Sequence, residues 1–372
     1  MKTPPEKETV LILGKLPPPF MGPAIATQII LNSSLSRNFN LIHINTQANS
    51  DLTGIGKWSF LKLYRNLKMY AHMFSRCIRM HPSLALIPIS QSTSGFLKDS
   101  IFILIARLTG TKVLIQLRGS NFKNWINNAS FAVRIYTGWI LSLTSGVIVL
   151  GHQLKHLFQS YFKEEQIHVV PNGADYQLPL RTRKDEDVFE IVYLANLQPS
   201  KGIEDVIHSM KILKEKETMP FHLTVIGSWR NEQTKENVSA FVEKHHLPVT
   251  ILTPDKAGNK FQHLVNADAF VFTPREPEGH PWVIVEAMAC GLPIIATDQG
   301  AITESVIHEQ NGFIVQPFSP DEISEKLSLL MHHASLRSEM GKQSRRLYEL
   351  HFTENSMVNN LTAVFNQIIR KE

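Results

Sequence analysis

Short runs of β-branched and aliphatic residues, each bounded by turn residues and followed by a helical pattern, recur along nearly the whole chain. That alternation dictates parallel sheets covered by helices on both faces. In the first half the pattern predicts strands at residues 10–13, 41–45, 84–89, 112–117 and 146–150. In the second it predicts strands at 190–195, 222–226, 249–252, 269–273, 293–296 and 312–315. Between the two sets lies a stretch holding PNGAD, a further proline and the charged run RTRKDED, which reads as a boundary. A chain of 372 residues suits two domains of this kind. We place them at 1–170 and 171–355, with a last segment, 356–372, at the end of a helical tail long enough to return to the first domain.

Charge separates the halves. Residues 1–170 hold 18 Lys and Arg against 6 Asp and Glu, and residues 171–372 hold 20 against 27, so the halves carry +12 and −7. The basic half is expected to face something anionic, such as a membrane surface, a phosphorylated acceptor or nucleic acid. Two cysteines far apart, Cys77 and Cys290, and a start without the basic-then-apolar pattern of a secretory leader point to a cytoplasmic protein. Arg107 and Arg134 interrupt the best apolar runs, so no spanning helix is expected.

The segment EGHPWVIVEAMACG, residues 278–291, joins a loop carboxylate to a short helix. Pro281 suits its first turn and Gly291 the position just past its last, which places free amides near Gly279, His280, Pro281, Trp282 and Val283. Amides at a helix start bind anions. Glu278 just before them and Glu286 one turn inside can accept hydrogen bonds from hydroxyls of a ligand whose phosphates meet the amides. A buried helix beside a solvated loop is the plain alternative. Against it, LANLQPSKGIEDVIHSM, residues 194–210, ends a strand and presents Lys201 at a helix start, where a lysine can meet a diphosphate.

These residues, with PPPFMGP (17–23), RGSNF (118–122), PNGAD (171–175) and HEQNGFIVQP (308–317) in order, resemble glycosyltransferase family 4, of the GT-B fold and bacterial surface-polysaccharide type. The resemblance implies an α/β protein of two Rossmann-like domains facing a central cleft, with a C-terminal helix crossing back to the first. It implies that Glu278 contacts the donor sugar and Glu286 the nucleotide ribose, while Lys201 holds the diphosphate. Where the family commonly has an arginine, this chain has Asn196, which removes one positive charge from the leaving group. Gly22 matches the family's glycine loop. Gln116 and Arg118 stand where a histidine is common, so no catalytic histidine is named; Arg118 is a candidate phosphate contact and His280 a candidate sugar contact.

The implied reaction is metal-independent transfer of a hexose, with retention of configuration, from a nucleoside-diphosphate sugar as co-substrate. The implied acceptor is a saccharide, lipid-linked, in lipopolysaccharide, capsule or exopolysaccharide assembly. A small soluble acceptor and a non-catalytic binding protein on a degenerate transferase fold remain as alternatives. No cofactor, bound metal or nucleic-acid partner is expected. Asp185 and Asp187 have the spacing of a metal-binding pair but lie in the charged connector, and the adjacent pairs His245–His246 and His332–His333 point in different directions on a helix. No GxGxxG opens a βαβ unit. Residues 58–80 mix Lys and Arg with aromatics and leucines at near-helical spacing, which fits either a helix on the inner face of the plasma membrane or a basic helix packed on the core.

Overall fold

The computed structural model describes residues 7–18, 21–47, 60–183 and 188–370. Residues 19–20 of the glycine-loop motif, 58–59 of the basic segment and the 185–187 pair lie outside the described residues. The chain divides into two compact units, one running to Ala174 and resuming at Glu354, the other spanning Asp175–Thr353.

Unit 1 is built on a parallel sheet in the order β2-β1-β3-β4-β5-β6. Its strands are β1 (Thr9–Gly14), β2 (Asn40–Asn45), β3 (Leu84–Pro88), β4 (Lys112–Gln116), β5 (Gly146–Val149) and β6 (Ile167–Val169). Val10–Leu13 and Val113–Ile115 are buried without interruption, because helices cover both faces. The unit's main helices are α1 (Gly22–Asn32), α2 (Phe60–Met80), α3 (Thr93–Leu108), α4 (Phe122–Asn128) and α5 (Phe131–Ser142). On one face Val10, Ile12, Leu84 and Leu86 pack with Ile30 of α1 and with Leu361 and Phe365 of the C-terminal helix. Right-handed crossovers put α2, α3 and α5 on the other face.

Unit 2 has a parallel sheet in the order β12-β11-β10-β7-β8-β9. Its strands are β7 (Phe189–Leu194), β8 (Phe221–Ile226), β9 (Val249–Leu252), β10 (Ala269–Phe272), β11 (Ile294–Thr297) and β12 (Gly312–Val315). Its helices are α6 (Ile203–Lys216), α7 (Glu232–Lys244), α8 (Pro254–Ala257), α9 (Lys260–Asn266), α10 (Trp282–Ala289), α11 (Pro320–His332) and α12 (Ala334–His351). The tail helix α13 (Glu354–Arg370) returns to unit 1. There Lys112 donates to the carbonyls of Ile368 and Ile369, at 3.2 and 3.0 Å, placing a cation on the negative end of that helix.

Every strand read from the sequence is present, and β6 is an addition. Pro281 does not begin α10 as expected. It is the N-cap, with an extended ψ of 126°, and the helix has 8 residues. No helix among the described residues is long and apolar enough to cross a membrane.

Candidate functional site

In unit 2 the chain leaves β7 toward β8 on one side and leaves β10 toward β11 on the other, so the adjacent ends of β7 and β10 form the switch point where open α/β sheets bind ligands. Lys201 closes a single 3-10 turn, Pro199–Lys201, just beyond β7. Gly202 follows with φ +75°, and a Cβ there would lie 1.9 Å from the Thr273 carbonyl oxygen past β10, so only glycine lets the two loops approach. The Tyr193 hydroxyl donates to the Lys201 carbonyl at 2.8 Å. From the other loop, the Arg275 amide donates to the Ser200 carbonyl at 2.9 Å, and its guanidinium grips Asp205 at 2.7 and 2.8 Å and Glu204 at 2.7 Å. This clamp delivers Glu278 to Lys201, and the two form an ion pair. Burial pushes the Glu278 carboxyl above its ordinary range and Lys201 pulls it back.

Glu286 sits inside α10, only 4% exposed. One carboxylate oxygen accepts from Lys260 Nζ at 2.6 Å, and the other is buried with no hydrogen-bond partner. Burial raises its pKa, against the pull of Lys260. The Tyr176 hydroxyl is likewise buried without a partner, its pKa raised by burial first and then by the Glu286 charge. Two unpartnered oxygens near each other are costly unless a ligand supplies the missing bonds.

His280 was a candidate sugar contact. Its imidazole is buried, with Nε2 2.7 Å from Ser305 Oγ and the ring 5.0 Å from that of Phe352, and burial lowers its pKa to about 4. It is neutral at pH 7 and bonded to the unit's own interior, so its visible work is to hold the loop that carries Gly279, Pro281 and Trp282.

Asn196, exposed beyond β7, has an unanticipated neighbour. The segment after β8 bridges back to Leu197, with Leu197 N donating to the Ser228 carbonyl at 2.9 Å and Arg230 N to the Leu197 carbonyl at 3.0 Å. This fixes the Arg230 guanidinium 3.4 Å from the Asn196 side-chain oxygen. A positive charge therefore stands beside the position where Asn196 itself supplies none.

Gly22 and Arg118 belong to unit 1; Gly22 opens α1, the first helix after β1, and Arg118 lies just past the C-terminal end of β4. Burial lowers the Arg118 pKa to about 10, and its Nε has no partner. Gln91 Oε1, Gln116 Oε1 and Ser120 Oγ are also buried and unpartnered. Sequence reasoning missed Lys260, Tyr176, Arg230 and Gln91, and it gave Gln116 and Ser120 no role of their own. The usable signal was positional, since every one except Tyr176 and Lys260 lies within a few residues of a strand's C-terminal end. A basic cavity of about 800 Å³ lined by Arg181, Arg183, Asp268, Arg337 and Arg345 opens beyond the far end of α10, where Gly291 also lines it, and it includes none of Lys201, Glu278, Glu286, Lys260 or Arg230.

Residues 177–347 match the family described as Glycosyl transferases group 1. A capsular polysaccharide biosynthesis glycosyltransferase, CapM of Staphylococcus aureus, is 26% identical over 240 residues, 60% of this chain and 62% of that protein. The matched part thus spans less than two thirds of that relative's length. A sucrose-phosphate synthase from Thermosynechococcus elongatus superposes with a TM-score of 0.75 at 13% identity, covering 97% of this chain and 99% of that one. HepE of Anabaena, in complex with UDP-glucose, superposes with a TM-score of 0.71 at 14% identity, covering 96% and 99%. Residues 177–347 are thus a Glycosyl transferases group 1 domain, in a chain whose two Rossmann-like units have the fold of the GT-B glycosyltransferases.

Proposed function

We propose that this protein, a glycosyltransferase by its domain and fold, moves a hexose with retention of configuration from a nucleoside-diphosphate sugar to a lipid-linked saccharide acceptor. The reading falls within family 4 and within surface-polysaccharide assembly, of lipopolysaccharide, capsule or exopolysaccharide. CapM's name supports the pathway class, and HepE's complex with UDP-glucose supports the donor class. The observation that carries the donor reading is Glu286, a buried carboxylate with one oxygen on Lys260 and the other unpartnered; in this reading a ribose hydroxyl donates to that second oxygen.

As the glycosidic bond stretches, negative charge grows on the departing diphosphate. Lys201, Arg230 and main-chain N–H groups at the start of α10 stabilise that charge more in the transition state than in the ground state. In this reading the cations take the place of a metal ion. Glu278, paired with Lys201, accepts from the sugar hydroxyls and orients the ring. Asn196 donates a neutral hydrogen bond beside Arg230. Gly22 lets backbone approach the phosphates, and Arg118 with Gln116 offers polar groups to the acceptor. The protein works in the cytoplasm at the inner face of the plasma membrane.

Glu286→Ala and Lys201→Ala should each lower kcat/KM for donor turnover by at least about tenfold, since a lost charge-assisted contact costs roughly 1.5–3 kcal/mol. A thermal-shift panel of sugar nucleotides identifies the donor, because a ligand at a hundred times its Kd adds about 2.7 kcal/mol of stability. Full activity in both variants refutes the site.

A further inference from the structure

Among the described residues, eleven of the fourteen exposed large apolar side chains lie on α2, α3 and α5 of unit 1. These three helices form one layer. Tyr70 of α2 meets Phe102 of α3 edge-on at 4.8 Å, and Ser100 of α3 bonds Tyr136 of α5 at 2.7 Å. Each helix buries one stripe and displays another. On α2, Met73 and Cys77 point inward, while Tyr64, Leu67, Phe74 and Ile78, at intervals of three, seven and four, run down the outside. On α5, Phe131, Ile135 and Trp139 repeat at a spacing of four, and Leu108 at the end of α3 is 82% exposed. Scattered apolar residues need no explanation, but parallel stripes gathered on one layer mark a surface that something covers.

Charge names the occupant. From Phe60 to Lys163 the chain carries 13 Lys and Arg and a single acid, Asp99. Asp99 is buried, and its carboxylate accepts from the Ser90 amide at 2.8 Å, so it offers nothing outward. On α2 the exposed Lys68 and Arg79 each stand one residue, about 100°, beyond Leu67 and Ile78 of the apolar stripe, where their long stems can reach past an apolar boundary into a charged layer. A second copy of this face would bring positive rim against positive rim. We propose that the α2–α3–α5 layer docks on an anionic lipid bilayer, its apolar stripes in the acyl boundary and its basic flanks among the headgroups. The proposal deepens the lipid-linked acceptor reading and rests on it for its purpose.

The test is flotation of the full chain with phosphatidylcholine vesicles, with and without phosphatidylglycerol. The protein should float with the mixed vesicles, and raised salt or omission of the anionic lipid should release most of it. Phe74→Ser with Trp139→Ser should weaken binding at least about tenfold, and Lys68→Glu with Arg79→Glu should do the same on mixed vesicles only. Because these side chains are exposed, the sugar-nucleotide thermal shift should stay as in the parent, which separates lost docking from lost folding or donor binding. Parent protein that ignores the vesicles, or variants that float like the parent, overturn the proposal. So does a parent dimer that the same apolar substitutions turn into a monomer. Vesicle binding combined with transfer to soluble acceptors alone refutes the lipid-linked reading and leaves the docking face standing.

Discussion

Replacing Lys260 by alanine isolates the electrostatics of the Glu286 pocket. The lysine's Nζ lies 2.6 Å from a carboxylate whose side chain is only 5% exposed, while the lysine side chain itself is 35% exposed. Breaking a fully buried pair costs about 3–5 kcal/mol, because the surviving charge is left uncompensated. Water reaching the site from the lysine side offsets part of that, so about 1–3 kcal/mol is expected. For a unit of this size, 2 kcal/mol corresponds to a fall in Tm of roughly 4–8 °C. The pH dependence is the sharper readout. Burial already raises the native Glu286 pKa and Lys260 opposes the rise, so without the lysine it climbs further. Above the ordinary carboxylate pKa the native state then holds a proton that the unfolded chain has released, so stability falls as pH rises through that window. The loss caused by Lys260→Ala should be largest at neutral pH and shrink as pH drops toward 4.5, the ordinary value. Adding Glu286→Gln should recover about half of it or more, since the amide needs no cation. Thermal unfolding of the single and double variants across pH reads all of this. A variant as stable as the parent at pH 7, or a loss independent of pH, refutes the reasoning.

His280 gives the opposite sign. Its native pKa of about 4 lies below the ordinary 6.5, so the unfolded chain binds a proton first; the stability it contributes is intact above pH 6.5 and is lost as pH falls toward 4. His280→Gln should flatten the acid limb of the stability curve by up to about 3 kcal/mol, which urea titration at several pH values will detect. Gly300→Ala should lower both stability and donor binding, because φ is +64° and a Cβ would fall 1.6 Å from the Glu278 carbonyl oxygen. The left-handed conformation alone costs about 1–2 kcal/mol; unchanged donor binding in that variant would mean that Glu278 is not held by this contact. Arg230→Ala should cut kcat/KM about tenfold or more, and adding Asn196→Arg should restore part of it. No change in Arg230→Ala would remove Arg230 from the leaving-group site.

The strands were legible because a parallel sheet buried on both faces must be written as unbroken apolar runs, as VLIL in β1 and IIA in β11 are. The addition, β6, is the three residues IHV between a charged turn and a proline, too short for any run to stand out. Proline suits both the last non-helical and the first helical position, so sequence pattern alone could not fix where α10 begins. Glu278, Glu286 and Lys201 were legible as motif residues, but what surrounds them was not. Lys260 comes from α9 to meet Glu286, and Arg230 comes from the loop after β8 to meet Asn196, contacts set by the strand order and not by any local pattern.

The same physics explains why the basic segment at 58–80 allowed two readings. Periodicity reports that a helix has apolar and charged sides, but not how many apolar sides it has. On α2 the buried stripe through Met73 and Cys77 and the exposed stripe through Phe74 and Ile78 lie about 100° apart, because successive residues turn by that angle. A single direction summed over the helix blends them into one amphipathic signal. Packing on α3 uses one stripe, as the core reading expects, and leaves the other outside, where the membrane reading awaits the vesicle test. Distinguishing them required knowing which side the neighbouring helix occupies, and the crossover topology of the sheet decides that.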